Sequence, residues 1–94
     1  MHKLRVSDGT KKLVRTMHPN LKQKVKDALK NILSDLYSGK GLKEELAGLR
    51  SFRVSRFRII CRVASKKKQI EIVAIGPRDR IYEETFRLVK KEMV

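Results

Sequence analysis

Between Phe52 and Val63 the chain alternates apolar and basic side chains, and this stretch restricts the fold more than any other. Phe52, Val54, Phe57, Ile59, Cys61 and Val63 interleave with Arg53, Arg58 and Arg62. A period of two puts each set on its own side of a strand. Ser55-Arg56 interrupts the run and reads as a two-residue hairpin loop. Val54 then opposes Phe57, Arg53 opposes Arg58, and Phe52 opposes Ile59. A second turn, Ser65-Lys66-Lys67-Lys68, leads into the strand IEIVAI at residues 70–75. As a four-residue loop it sets Arg62 opposite Glu71 and Ile60 opposite Val73. Ile70, Ile72 and Ala74 join the apolar face. The other face carries Ser51, Arg53, Arg58, Ile60 and Arg62. Both registers sort the apolar residues the same way, and a one-residue slip in either would undo the sorting.

The flanking segments are largely helical. His2, Leu4 and Val6 alternate with Lys3 and Arg5 as a short strand. Ser7 and Asp8 are N-cap candidates for a short helix through Met17, with Leu13, Val14 and Met17 at helical spacing. His18-Pro19-Asn20 breaks it, and Pro19 suits the first turn of the next helix. Over residues 19–37, Leu21, Val25, Ala28, Leu29, Ile32, Leu33 and Leu36 form one stripe, with Lys22, Lys26, Lys30 and Asn31 off it. Gly39 is expected as the residue that ends this helix. Gly39-Lys40-Gly41 reads as a loop, and Leu42, Leu46 and Leu49 as a further helical turn or two. Gly76-Pro77 closes the sheet. From about Asp79, Ile81, Tyr82, Phe86, Val89 and Met93 share the face of a last helix. The order β-α-α-β-β-β-α predicts an α+β fold in which a helical hairpin packs on a small, mainly antiparallel sheet. Residues 1–94 are expected to form one domain.

Charge narrows the partners. Lys and Arg number 24 against 10 Asp and Glu, a net +14. RNA, DNA or an acidic protein would answer such a field. No run approaches the roughly 20 apolar residues of a spanning helix, so no membrane partner is expected. The N-terminus has no apolar core of a secretory signal, and one cysteine allows neither an intramolecular disulfide nor a cysteine zinc site. A reducing cytoplasm is the expected location. No metal or cofactor is expected. His2 and His18 have no second ligand at a metal-binding spacing, and no glycine-rich loop surrounds Gly76, which reads as a turn residue. Cys61 reads as a buried thiol.

One pairing is unfavourable. Arg53 opposite Arg58 brings like charges together across two strands. No acid lies between Glu45 and Glu71 to relieve them, while that interval holds eight Lys and Arg. A bound anion would justify the pair, since guanidinium groups donate paired hydrogen bonds to phosphate. Arg78 enters near the same edge. The plain alternative is a solvated face with splayed arginines.

GLRSFRVSRFRIICRV, a short basic turn and IEIVAIGPRDRIYEE together resemble the RelE/ParE superfamily of type II toxin–antitoxin toxins. With the preceding helical hairpin, the resemblance covers nearly the whole chain. By position Arg53 and Arg58 match the basic residues of the two central strands, Arg78 the arginine after the last strand, and Tyr82 the tyrosine that follows. These four are the candidate catalytic residues. Arg50, Arg56, Arg62, Lys66, Lys67 and Lys68 are candidate RNA contacts, the three lysines reading equally as a solvated turn. In the RelE-like branch the resemblance implies a metal-independent, ribosome-dependent endoribonuclease that cuts messenger RNA through its own 2′-hydroxyl and so inhibits translation. In the ParE-like branch it implies a DNA gyrase inhibitor without nuclease activity. It also implies an acidic cognate antitoxin, and contact with DNA only through the antitoxin complex. A non-catalytic RNA-binding protein could use the same basic face. Pro77 stands where many relatives have a polar or ionisable residue, often histidine, and Ser51 where some nucleases have lysine. Tyr82 could transfer a proton, stack on a base or pack in the core.

Overall fold

The computed structural model describes residues 3–35, 39–64 and 69–92. Among them are β1 (Lys3–Val6), α1 (Asp8–Arg15), α2 (Pro19–Ser34), β2 (Lys40–Gly41), a short 3-10 turn (Glu44–Leu46), β3 (Leu49–Val54), β4 (Phe57–Ala64), β5 (Gln69–Pro77) and α3 (Ile81–Glu92). The five strands form one mixed sheet in the order β1-β5-β4-β3-β2. β1 runs parallel to β5, and the other neighbours are antiparallel. The α+β class and the element order follow the expectation, with β2 added at the edge.

Local chemistry places the helix starts. The Ser7 hydroxyl accepts from the Thr10 amide at 3.2 Å, satisfying one of the amides that open α1. Pro19 occupies the first turn of α2, where no amide is needed, and His18 Nδ1 accepts from the Asn20 amide. The end of α2 differs from expectation. The chain leaves the helix at Asp35, whose φ of −145° is extended, so Gly39 does not cap it. Asp has low helix propensity. Leu36 lies outside the described residues. Gly39-Lys40-Gly41 is not wholly loop, because Lys40 and Gly41 pair with Ser51 and Arg50. The leucine-rich stretch after it forms only the 3-10 turn, and Leu49 already belongs to β3.

The hairpin register is as the alternation requires: Val54 pairs with Phe57, Arg53 with Arg58, and Phe52 with Ile59. Ser55 turns the chain at φ +56°. Between β4 and β5, Arg62 pairs with Glu71 as expected, but Ile60 pairs with Ala74, not Val73. Cys61 pairs with Ile72, so Val73 is an extra residue, a β-bulge. Beyond it the faces of β5 are exchanged. Ile75 joins Ile70 and Ile72 in the core under α1 and α2, and Ala74 turns to the opposite face. Keeping three isoleucines on one side outweighs an unbroken ladder, since each fully buried side chain contributes roughly 1.5–3 kcal/mol.

The sheet is covered on both sides. Val25 and Ile32 of α2 pack on Phe52, Val54, Ile59 and Cys61. On the other side Ile81 of α3 packs on Leu49, Ile60 and Ala74, with Leu42, Tyr82 and Val89 at the margin. The basic face is therefore only partly solvated. α3 presents Ile81 and Thr85 inward, and Phe86, expected on the buried stripe, is 38% exposed. The fully buried Thr85 satisfies its hydroxyl on the Ile81 carbonyl at 2.6 Å. Gly76 does not need its conformational freedom. A Cβ there would stand 3.0 Å from Ile81 Cδ1, so its smallness admits α3.

Cys61 is a buried thiol, as expected. Burial pushes its pKa from 9.0 to about 11, against a smaller downward pull from Arg50. The raised folded-state value means that this contribution to stability is complete below about pH 9 and is lost as pH rises through 11. Denaturant titrations should show the parent losing on the order of 2 kcal/mol more than Cys61→Ala across that window. Parallel pH profiles of the two proteins would disprove it.

Candidate functional site

The β3–β4 hairpin sets Arg53 and Arg58 side by side, and Arg58 also pairs with Gly76 of β5. The bulge then decides where Arg78 falls. With unbroken alternation from the Arg62–Glu71 pair, residue 78 would lie on the side of α1 and α2. The extra Val73 reverses this and brings Arg78 to the side of Arg53 and Arg58. The Arg78 amide donates to the Arg56 carbonyl at 3.0 Å, which ties the end of β5 to the hairpin tip. α3 starts three residues later on the same face. It lays the half-buried Tyr82 over β3, where its hydroxyl lies 3.2 Å from the buried Ser51 Oγ.

Two depressions meet at Arg78. One, of about 560 Å3, lies at the hairpin tip between Arg53, Arg56, Phe57, Pro77, Arg78 and Asp79. The other, of about 420 Å3, lies between Lys40, Lys43, Arg58, Arg78 and Tyr82. Arg58 is the least solvated cation of the group. Its Nε is buried and has no hydrogen-bond partner among the described residues. A buried charged donor without an acceptor is costly, and an anion in the cleft would remove that cost.

Of the candidate residues, the fold gathers Arg53, Arg56, Arg58, Arg78 and Tyr82. Arg62 shares their face farther along β4 and faces Glu71 at 3.9 Å. Arg50 points the other way: it shares the alternation of Phe52 and Val54, and its Nη2 donates to the Gly39 carbonyl at 2.5 Å. It is removed from the cluster. Lys66, Lys67 and Lys68 lie outside the described residues. Lys40 and Lys43 were not anticipated. They reach the cleft because β2 pairs with β3, and a two-residue strand leaves no alternation to read. His18 caps α2 and is not in the cleft. Among the described residues, no three His, Cys, Asp or Glu gather as a metal site, and no helix is long and apolar enough to cross a membrane.

This arrangement is chemically suited to holding and orienting anions. Four guanidinium groups, of Arg53, Arg56, Arg58 and Arg78, and two ammonium groups, of Lys40 and Lys43, line connected hollows, with an aromatic hydroxyl beside them. Arginine stabilises developing negative charge well and is a poor base, its pKa exceeding about 12.

The chain has known likenesses. Residues 5–82 match the family model described as the ParE toxin of the type II toxin–antitoxin system parDE. Comparison with the curated proteins finds no match. Among solved structures, the RelBE2 toxin–antitoxin complex of Mycobacterium tuberculosis superposes with a TM-score of 0.71 at 22% identity, over 82% of this chain and 98% of that one. A mutant of the Escherichia coli toxin RelE in the free state superposes with a TM-score of 0.77 at 16% identity, over 99% and 98%. The YoeB/ParE toxin from Agrobacterium tumefaciens does so with 0.68 at 22%, over 81% and 98%. The structural likenesses establish the shared fold. The family match spans the strands that carry the arginines and reaches Tyr82 at the start of α3. This chain therefore belongs to the RelE/ParE family of type II toxin–antitoxin toxins.

Proposed function

We propose that this toxin is a ribosome-dependent endoribonuclease that cuts messenger RNA in the cytoplasm and so inhibits translation. The observation that carries the reading is the convergence of Arg53, Arg58 and Arg78 on one face, with Arg58 Nε buried and unpartnered. Such a cluster suits a phosphate that gains charge in the transition state. The RNA's own 2′-hydroxyl would be the nucleophile. Proton removal is the weak step, since among the described residues no histidine stands in the cleft and arginine cannot serve. Dependence on the ribosome follows. A messenger held in the decoding site supplies orientation, worth as much as about 7–11 kcal/mol in well-aligned systems. An acidic antitoxin segment that folds on the +14 chain would silence it, with DNA contacted only through that complex. Solved relatives include complexes with RelB and with YefM.

Mapping of cuts on a translated message, with ribosomes added or omitted, tests this. Cuts are expected only with ribosomes. Intact message together with gyrase-dependent DNA breaks would replace the reading with gyrase inhibition, which the ParE description of the matched family favours.

Tyr82 is expected to act through its ring. Its hydroxyl is engaged with Ser51, which fixes the ring over β3. Tyr82→Phe should lower stability by about 1 kcal/mol, because it leaves the Ser51 hydroxyl buried without that partner. Cleavage per folded molecule should stay within about tenfold of the parent, short of the 10²–10⁴-fold typical of a lost acid or base. Tyr82→Ala should lose most of it. Single-turnover cleavage on programmed ribosomes, paired with melting curves, checks both; a 10²-fold or larger drop for Tyr82→Phe would make the hydroxyl a proton donor or acceptor.

A further inference from the structure

Cleavage through the 2′-hydroxyl leaves one proton without a source. When the bond from phosphorus to the 5′-oxygen breaks, that oxygen departs with the electron pair and has to be protonated. The arginines cannot supply the proton, because a guanidinium group does not give one up in a protein. Tyr82 is a poor source, since its hydroxyl is engaged with Ser51 at 3.2 Å. Of the groups that line the hollow at Arg58 and Arg78, this leaves the ammonium groups of Lys40 and Lys43.

The sheet distinguishes the two lysines. Lys40 lies in β2 directly opposite Ser51, and Gly41 opposite Arg50. Residues opposite one another on antiparallel strands share a face. Lys40 therefore stands on the face that Ser51 shares with Arg53 and, across the hairpin, with Arg58. On that face the row of Lys40, Ser51 and Ile60 adjoins the row of Arg53, Arg58 and Gly76. Two residues along a strand separate the rows by about 7 Å, which the four-carbon stem of a lysine can lean across. Lys43 lies beyond the last ladder pair of β2, at the entry to the 3-10 turn. Among the described residues, no carboxylate lines this hollow to take up the Lys40 charge.

We propose that Lys40 is the general acid of the cleavage. The 2′-oxygen attacks phosphorus and its proton passes to water. The bond from phosphorus to the 5′-oxygen breaks, and the electron pair it leaves on that oxygen takes a proton from the Lys40 ammonium. The products are a 2′,3′-cyclic phosphate and a free 5′-hydroxyl, and the Lys40 amine regains its proton from water. This assignment rests on the nuclease reading and adds to it the group that frees the leaving strand.

A message with sulfur in place of the bridging 5′-oxygen at the cut site tests this. Its leaving group departs as a thiolate, which needs no proton. On programmed ribosomes, Lys40→Ala should cut the ordinary message about 10²–10⁴-fold more slowly than the parent. The same variant should cut the sulfur-linked message within about threefold of the parent. Lys40→Arg keeps the charge without a transferable proton and should behave as Lys40→Ala does. Lys43→Ala should stay near the parent on both messages. Melting curves of the Lys40 variants should match the parent, because the residue is exposed. Equal slowing of Lys40→Ala on the two messages would make Lys40 a binding residue and overturn the proposal. So would unchanged cleavage of the ordinary message by Lys40→Ala, or by Lys40→Arg. A parent that cuts neither message with ribosomes present would instead overturn the nuclease reading itself.

Discussion

Arg58→Ala is expected to lower messenger cleavage by about 10²–10³-fold, the loss seen when one preorganised charge-stabilising donor is removed from an active site. Its melting temperature should equal or exceed that of the parent. The two halves of this expectation come from the same geometry. Arg58 sits directly opposite Arg53 and buries its Nε without a partner, so the resting protein gains little from it. Like charges across a strand pair destabilise, and the alanine variant removes that repulsion. Arg58→Lys should not restore activity, because an ammonium group cannot reproduce paired guanidinium hydrogen bonds. Arg53→Ala and Arg78→Ala should also lose activity, Arg53→Ala with a smaller gain in stability, since Arg53 is already exposed. Cleavage assays and melting curves on the same preparations check this. Full toxicity in all three alanine variants would remove the arginines from the site.

The largest effect on stability is expected at Ile81. It is fully buried, anchors α3 on Leu49, Ile60 and Ala74, and fits against Gly76 so closely that a Cβ there would stand 3.0 Å away. Ile81→Ala should cost about 2–5 kcal/mol, the range for truncating a buried isoleucine or leucine to alanine. At about 4–8 °C per kcal/mol for a domain of this size, the melting temperature should fall by more than 8 °C. Against a typical total of about 5–15 kcal/mol, this is a large share. Activity should fall too, even in molecules that remain folded, because α3 carries Tyr82 and its undocking breaks the contact with Ser51. Ile81→Val should cost only about 0.5–1.5 kcal/mol and keep cleavage near the parent level. A melting temperature for Ile81→Ala within 2 °C of the parent would mean that α3 is not held by this core.

Much of this is legible in the amino-acid sequence. A two-residue loop between two alternating runs admits one sensible register, so the Arg53–Arg58 pair followed directly. The Arg62–Glu71 pair followed from the second loop in the same way. The tail of β5 was not legible, because strict alternation cannot reveal where an extra residue is absorbed. The clue lay in the spacing of Ile72 and Ile75, which cannot share a face without a bulge. The docking of α3 on the basic face was missed for a different reason. The arginines there suggested solvent, while Ser51 and Ile60 between them marked a strip that had to be covered. Lys40 and Lys43 carried no signal, since their place in the cleft depends on one short strand pairing at the sheet edge.

Val73 makes β5 a strand with two phases. Its first half keeps time with the ladder that begins at Arg62 and Glu71, and its second half keeps time with the hairpin. The two halves can therefore vary in length without the same consequence. Losing Val73 would leave every other pairing in place and Arg78 on its present side. Adding one residue between Gly76 and Arg78 would carry the arginine toward the opposite side while leaving the ladder before it unchanged. In this small toxin, the difference between an armed and a harmless molecule with the same topology is then where a single residue is counted, and inactivation by a one-codon insertion needs no loss of any functional side chain.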